Sequence, residues 1–145
     1  MIVTESNEGT KLYLLVGGKG ERLSSVTKGK PKPLVDVNGR PFINYVLKNL
    51  KGFDITLVCS TDTYWDFEGY KNIGIDVINE GHRAGTGGFL MKIAEDAPDS
   101  FYVMNGDSYF TGDLNLDVDK STVFVAEEDV TDDVGYIQGK NGKVE

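Results

Sequence analysis

The sequence predicts an α/β protein with a mainly parallel sheet and helices on both faces. Three observations carry this. Short apolar runs recur that do not alternate with polar residues, as in strands covered on both sides. Segments of helical periodicity separate them. Glycine-rich loops follow the first, third and fourth of these runs, where parallel sheets bind ligands.

Lys11 to Val16 reads as the first strand, since Leu12, Tyr13, Leu14, Leu15 and Val16 are continuous. Gly17 to Lys30 reads as a long polar loop, a length that points to function. Leu34 to Val37 is predicted extended, ending in an Asn38-Gly39 turn. Pro41 suits the first position of a helix in which Ile43, Val46, Leu47 and Leu50 repeat, with Gly52 as its end. Ile55 to Cys59 is a second strand, and Asp62 to Tyr70 a weak helix whose Tyr64, Trp65 and Phe67 are read as packing residues. Ile75 to Ile78 is a third strand. Thr86 is placed as the cap of a helix through Ala94, with Phe89, Leu90 and Ile93 facing the core. Phe101 to Met104 is a fourth strand and Val123 to Ala126 a fifth. Gly135 to Gln138 enters a turn at Gly139-Lys140-Asn141-Gly142, and Lys143 to Glu145 starts the return strand of a hairpin.

The chain has 145 residues, enough for one domain with a real core, taken as residues 11–145 after a polar segment, 1–10. That first segment does not read as a signal peptide, and no apolar run reaches membrane-spanning length. Cys59 is the single cysteine, read as a core residue, and its isolation fits a reducing cytoplasm. A net charge of −8 argues against nucleic-acid or membrane-surface partners. The charge is uneven: Lys19, Arg22, Lys28, Lys30 and Lys32 face only Glu21 between Gly17 and Lys32. A cationic island on an acidic body suits a small, highly charged anion.

The loop Gly17-Gly18-Lys19-Gly20-Glu21-Arg22-Leu23, closed by Pro31-Lys32-Pro33-Leu34, carries that island. Glycines admit close backbone approach, and cations suit phosphate oxygens. The Walker pattern fails, because no Gly-Lys-Ser/Thr follows at the right spacing. The dinucleotide fingerprint fails because Leu23 stands where its third glycine belongs. One histidine, His82, and one cysteine make no zinc site. Asp117 and Asp119 imitate a glycosyltransferase metal motif but read as a solvated acidic turn.

Taken in order, the glycine loop, Pro-Lys-Pro-Leu, Val37-Asn38-Gly39-Arg40-Pro41-Phe42-Ile43, Gly85-Thr86-Gly87-Gly88 and Asn105-Gly106-Asp107 resemble the sugar-1-phosphate nucleotidyltransferases, or nucleotide-sugar pyrophosphorylases. That family opens on Gly-Gly-x-Gly-Thr-Arg-Leu. The stretch from Ile78 to Gly88 is most similar to the branch that handles heptose or mannose 1-phosphates. The resemblance implies a Rossmann-like fold of the nucleotide-diphospho-sugar transferase type, GT-A-like and shortened at its C-terminus. It implies transfer of a nucleoside monophosphate from a nucleoside triphosphate to a sugar 1-phosphate, with release of pyrophosphate. It also implies Mg²⁺ as cofactor and homo-oligomers in many members.

Residue by residue, the resemblance places Leu15, Gly17, Gly18 and Gly20 along the nucleotide. Arg22 would face the departing pyrophosphate, Lys32 the α-phosphate or sugar phosphate, and Asp107 the metal. Glu80, Gly85 and Thr86 would border the base, and a carboxylate at Glu80 leans toward GTP, since it accepts from guanine N1–H and the 2-amino group. Two departures stand out. Glu21 occupies the usual threonine position, and the chain is shorter than family domains, so the family's sugar-binding Glu-Lys pair and second metal aspartate have no counterpart here. A truncated form or a minimal version completed by a partner chain would account for the latter. A non-catalytic nucleotide-binding module and a glycosyltransferase that uses a nucleotide sugar remain alternatives at this point.

Overall fold

The computed structural model describes residues 8–18, 20, 24–82, 85–111, 121–123, 139–140 and 143–144. Among these residues four parallel strands form the central sheet: β1 (Lys11–Leu15), β4 (Asp54–Cys59), β5 (Asp76–Asn79) and β6 (Phe101–Asn105), in the order β5-β4-β1-β6. β1 pairs with β4 and β6 at once, so that Leu14 lies between Leu57 and Met104.

Both faces of the sheet are packed, which explains the unbroken apolar run of β1. On one face Leu12, Leu14, Leu57, Cys59 and Val77 meet Ile43 and Val46 of helix α2 (Phe42–Asn49) and Phe67 of α3 (Tyr64–Phe67). On the other, Tyr13 and Val58 meet Phe89 of α4 (Gly85–Ile93), and Tyr13 packs edge-on against Phe89 and Phe101 at 5.4 and 5.6 Å between ring centroids. No described helix is long and apolar enough to cross a membrane.

Several local expectations change. The loop after β1 contains a helical turn, α1 (Ser24–Thr27), which ends where Lys28 and Gly29 adopt positive φ. Leu34 is not extended: Lys32–Leu34 is a 3-10 turn, with the Leu34 N–H donating to the Pro31 carbonyl at 2.9 Å. The Asn38-Gly39 turn is present, both residues at positive φ, and joins β2 (Asp36–Val37) to β3 (Arg40–Pro41). Pro41 therefore ends a strand and flanks α2 instead of opening it. Thr86 lies inside α4, not at its cap, and Leu90 is 37% exposed, because Phe89 and Ile93 fill the sheet-facing stripe. Trp65 is 77% exposed; Phe67 takes the core position of that turn. Val123 lies in no strand, and 124–126 fall outside the described residues. Gly139–Lys140 form β7 and pair antiparallel with β8 (Lys143–Val144), so these two residues are strand where a turn was expected; 141–142 lie outside the described residues. The expected strand Gly135–Gln138 lies outside the described residues.

Candidate active site

The chain leaves β1 toward β4 and β5 on one side, then returns to add β6 on the other. Strand order thus reverses between β1 and β6. In parallel sheets a crevice opens beyond the carboxyl ends at such a reversal.

Gly106 brings the two strand ends together. Its N–H donates to the Leu15 carbonyl at 2.8 Å, and a Cβ there would lie 2.6 Å from Val16 Cγ1. Asp107 follows at once. Its Oδ2 accepts from Lys32 Nζ at 2.9 Å, across 75 positions of sequence. Both side chains are partly exposed, so the ion pair faces solvent. Lys32 starts a 3-10 turn between the buried prolines 31 and 33, which fix its backbone. The segment after Asp107 is tied to α2, where Asn49 Nδ2 donates to the Phe110 carbonyl at 2.7 Å.

The three glycines of the first loop do different things. Gly17 is buried, and a Cβ on it would come within 2.9 Å of the Ser60 nitrogen, so its missing side chain is used by the protein itself. Gly18 is exposed with open space where a side chain would stand, leaving room for a ligand against its backbone. Gly20 has φ +59, and a Cβ on it would come within 3.1 Å of Lys32 Cβ, so this glycine lets the loop lie against Lys32. Arg22 lies outside the described residues, as do Lys19, Glu21, Asp117 and Asp119.

Glu80 follows β5. Its N–H donates to the Cys59 carbonyl at 2.8 Å, which holds it beside the end of β4. Its Oε2 is buried without a hydrogen-bond partner, an arrangement that costs stability unless a donor arrives. Lys92 of α4 donates to the Glu80 carbonyl, and to that of His82 at 3.4 Å. Gly85, at φ +71, and Thr86 are exposed in the first turn of α4. Among the described residues no hydrogen bond or ion pair joins Glu80 or Thr86 to the Lys32–Asp107 pair. Burial pushes the Cys59 thiol up to about 12, and the negative charges of Asp66 and Glu80 add to the effect. The thiol is therefore neutral and inert at ordinary pH.

Sequence reasoning missed Ser60, Thr61, Thr63 and Lys92. Ser60 Oγ donates to the Gly17 carbonyl at 3.2 Å, and Thr63 Oγ1 accepts from the Ser60 N–H at 3.3 Å. The only signal was a Ser-Thr-Asp-Thr run after a strand, which reads as an ordinary turn.

A cavity of about 1030 Å³ opens elsewhere, lined by Lys11, Asp54, Lys71 and Asp76. It lies at the amino ends of the strands, where Lys11 already pairs with Asp54 at 3.2 Å. Its position makes it a poor anion site. The described residues contain no cluster of three or more His, Cys, Asp or Glu able to cage a metal. Mg²⁺ needs less: one or two carboxylates, with phosphates and water completing the shell. The partly exposed carboxylate of Asp107, one oxygen of which pairs with Lys32, could supply one such ligand.

Comparison with known proteins gives the family. The chain is 30% identical over 127 residues to a D-glycero-alpha-D-manno-heptose 1-phosphate guanylyltransferase of Campylobacter jejuni, covering 82% of this chain and 58% of the relative. A second enzyme of that name, from Aneurinibacillus thermoaerophilus, is 30% identical over 123 residues, covering 79% and 53%. The chain thus spans about half the length of these curated relatives. The solved inositol-1-phosphate CTP transferase of T. maritima shares the fold, with a TM-score of 0.57 at 24% identity over 69% of this chain and 44% of that one. Residues 12–116 match the model of the MobA-like NTP transferase domain, and the chain belongs to that family.

Proposed function

We propose that this chain transfers a nucleoside monophosphate from a nucleoside triphosphate to a sugar 1-phosphate. A phosphate oxygen of the sugar 1-phosphate attacks the α-phosphorus. The bond from that phosphorus to the β-phosphate's bridging oxygen breaks, and pyrophosphate leaves. Such a reaction needs positioning and charge neutralisation more than covalent chemistry.

The observation that carries the reading is the Lys32–Asp107 pair, 2.9 Å apart at the reversal of strand order. Lys32 contacts the α-phosphate or the sugar phosphate and stabilises the charge that builds there. Its ion pair keeps the ammonium in the crevice, where a bound polyanion competes for it. Asp107 holds Mg²⁺, which when bound neutralises triphosphate charge. The backbone at Gly18 borders the nucleoside, with Leu15, Gly17 and Gly20 shaping the loop around it. Arg22 faces the pyrophosphate, a role resting on the sequence resemblance alone. Glu80, Gly85 and Thr86 border the base. The unpartnered oxygen of Glu80 supports guanine, whose N1–H and 2-amino group offer two adjacent donors. The two guanylyltransferase relatives support the same base and a heptose 1-phosphate as acceptor.

Calorimetric titration with GTP, CTP, UTP, dTTP and ATP, with and without Mg²⁺, tests this. The expected result is Mg²⁺-dependent binding of GTP, followed by pyrophosphate release on adding mannose or heptose 1-phosphate. No binding of any triphosphate would overturn the reading.

A further inference from the structure

The turn after β4 takes no part in the chemistry above, yet two of its hydroxyls are buried. Ser60 is 2% and Thr63 3% exposed. Buried hydroxyls are costly unless bonded, and these bond in one direction. Ser60 Oγ lies 3.1 Å from Thr63 Oγ1 and donates to the Gly17 carbonyl at 3.2 Å. The missing Cβ of Gly17 lets that loop sit directly on the Ser60 nitrogen.

The next residue bonds in the other direction. The Thr61 N–H donates to the Gly81 carbonyl at 3.1 Å, and Thr61 Oγ1 to Asn79 Oδ1 at 3.3 Å. Asn79 Oδ1 also accepts from the Gly81 N–H at 2.8 Å, closing a small ring around the Glu80 loop. One four-residue turn therefore touches the loop after β1 on one side and the loop after β5 on the other.

We infer that residues 60–63 are a brace that sets the spacing between the glycine loop and the Glu80 loop, with Ser60 and Thr61 as positioning residues for nucleotide recognition. The role rests on the nucleotide reading proposed above. Thr63 secures Ser60, Ser60 holds Gly17, and Thr61 holds Gly81 and Asn79. None of the three needs to touch the ligand. A base anchored by Glu80 and a phosphate chain passing the glycine loop are matched only while the two loops keep their separation.

The test compares Ser60→Ala, Thr61→Val and Thr61→Ser by GTP titration with Mg²⁺ and by amide hydrogen exchange of the ligand-free chain. Losing one such bond is expected to weaken GTP binding about tenfold. Thr61 is exposed, so Thr61→Val should keep the melting temperature while weakening GTP binding, and Thr61→Ser should restore it. Ser60→Ala should speed exchange at residues 80–82 as well as 17–18, although it has no bond to the former, while exchange in β1 and β4 stays slow. Faster exchange confined to 17–18, with GTP binding unchanged in every variant, would overturn the brace and leave the nucleotide reading intact. Failure of the unaltered chain to bind any triphosphate would overturn both.

Discussion

Gly106 is where the geometry of the crevice can be challenged most directly. A methyl group there would stand 2.6 Å from Val16 Cγ1 and 3.0 Å from the Leu15 carbonyl oxygen. Val16 is 1% exposed and stiff at χ1, and the carbonyl belongs to the central strand, so neither yields cheaply. Overpacking of this kind costs about 1–3 kcal/mol. For a domain of this size each kcal/mol moves the melting temperature by roughly 3–4 °C. Gly106→Ala should therefore melt several degrees lower and show a reduced urea midpoint with an unchanged slope. Gly69→Ala is the control. That glycine has open space around its missing side chain and no positive φ, so alanine should stabilise by about 0.4–1 kcal/mol through the unfolded state. Two glycine-to-alanine changes thus carry opposite signs. Equal midpoints for Gly106→Ala and the unaltered chain would refute the close approach of β1 and β6.

Lys32→Ala should lower turnover by roughly a hundredfold or more, read as pyrophosphate release. Its stability should change by less than about 1 kcal/mol, because the ion pair with Asp107 is solvent-facing. Asp107→Asn should weaken Mg²⁺-dependent GTP binding while leaving any metal-independent binding in place, checked by titration at several Mg²⁺ concentrations. Glu80→Gln presents a donor where guanine also donates, so GTP affinity should fall about tenfold relative to the other triphosphates, measured by competition. Cys59 should resist a thiol reagent at pH 8 in the folded chain and react in urea. Its folded value, raised from 9.0 to about 12, makes stability full below pH 9 and lost as pH rises toward 12. Its contribution to the slope is about 1.4 kcal/mol per pH unit, so the loss of stability over this range should be shallower in Cys59→Ala.

The sheet was legible because its strands are covered on both faces. Leu12 to Val16 shows no alternation, and the structure explains this by α2 on one side and α4 on the other. Turn chemistry was legible at Asn38-Gly39, where the residue types demand positive φ. α4 was harder to read: a Gly-Thr-Gly-Gly start hides the first turn, and Thr86 resembles a cap it does not form. Trp65 misled because large aromatics are usually buried, whereas the short α3 has one inward position and Phe67 fills it. At the site, Lys32 stood out with the cationic loop, but its role and that of Asp107 came from family resemblance, since nothing local ties residues 75 apart. Ser60 and Thr61 left only a Ser-Thr-Asp-Thr run that reads as an ordinary turn. Their importance lies in which loops flank them, and that follows from strand order.

Strand order is also what makes a cationic island useful on an acidic chain. The sequence from Gly17 to Lys32 concentrates positive charge, but charge alone attracts any anion. Selectivity requires that the charge face groups with other demands. Reversal at β1 does this by bringing the loop after β6 beside the loop after β1, so that Asp107 meets Lys32. An anion that brings a divalent cation satisfies both residues; a bare anion satisfies only the lysine and is repelled by the aspartate. β4, on the other side of β1, then places Ser60 and Thr61 between the glycine loop and the Glu80 loop. On the nucleotide reading proposed above, a ligand that reaches from Asp107 to Glu80 would carry phosphate at one end and a donor-rich base at the other. A metal-bound guanosine triphosphate meets both conditions, whereas inorganic phosphate, pyrophosphate or a bare sugar phosphate meets at most one. Pyrophosphate should accordingly compete with GTP only in the presence of Mg²⁺, and guanosine only weakly in either condition. Strong Mg²⁺-independent competition by pyrophosphate would show that the cationic island acts without Asp107.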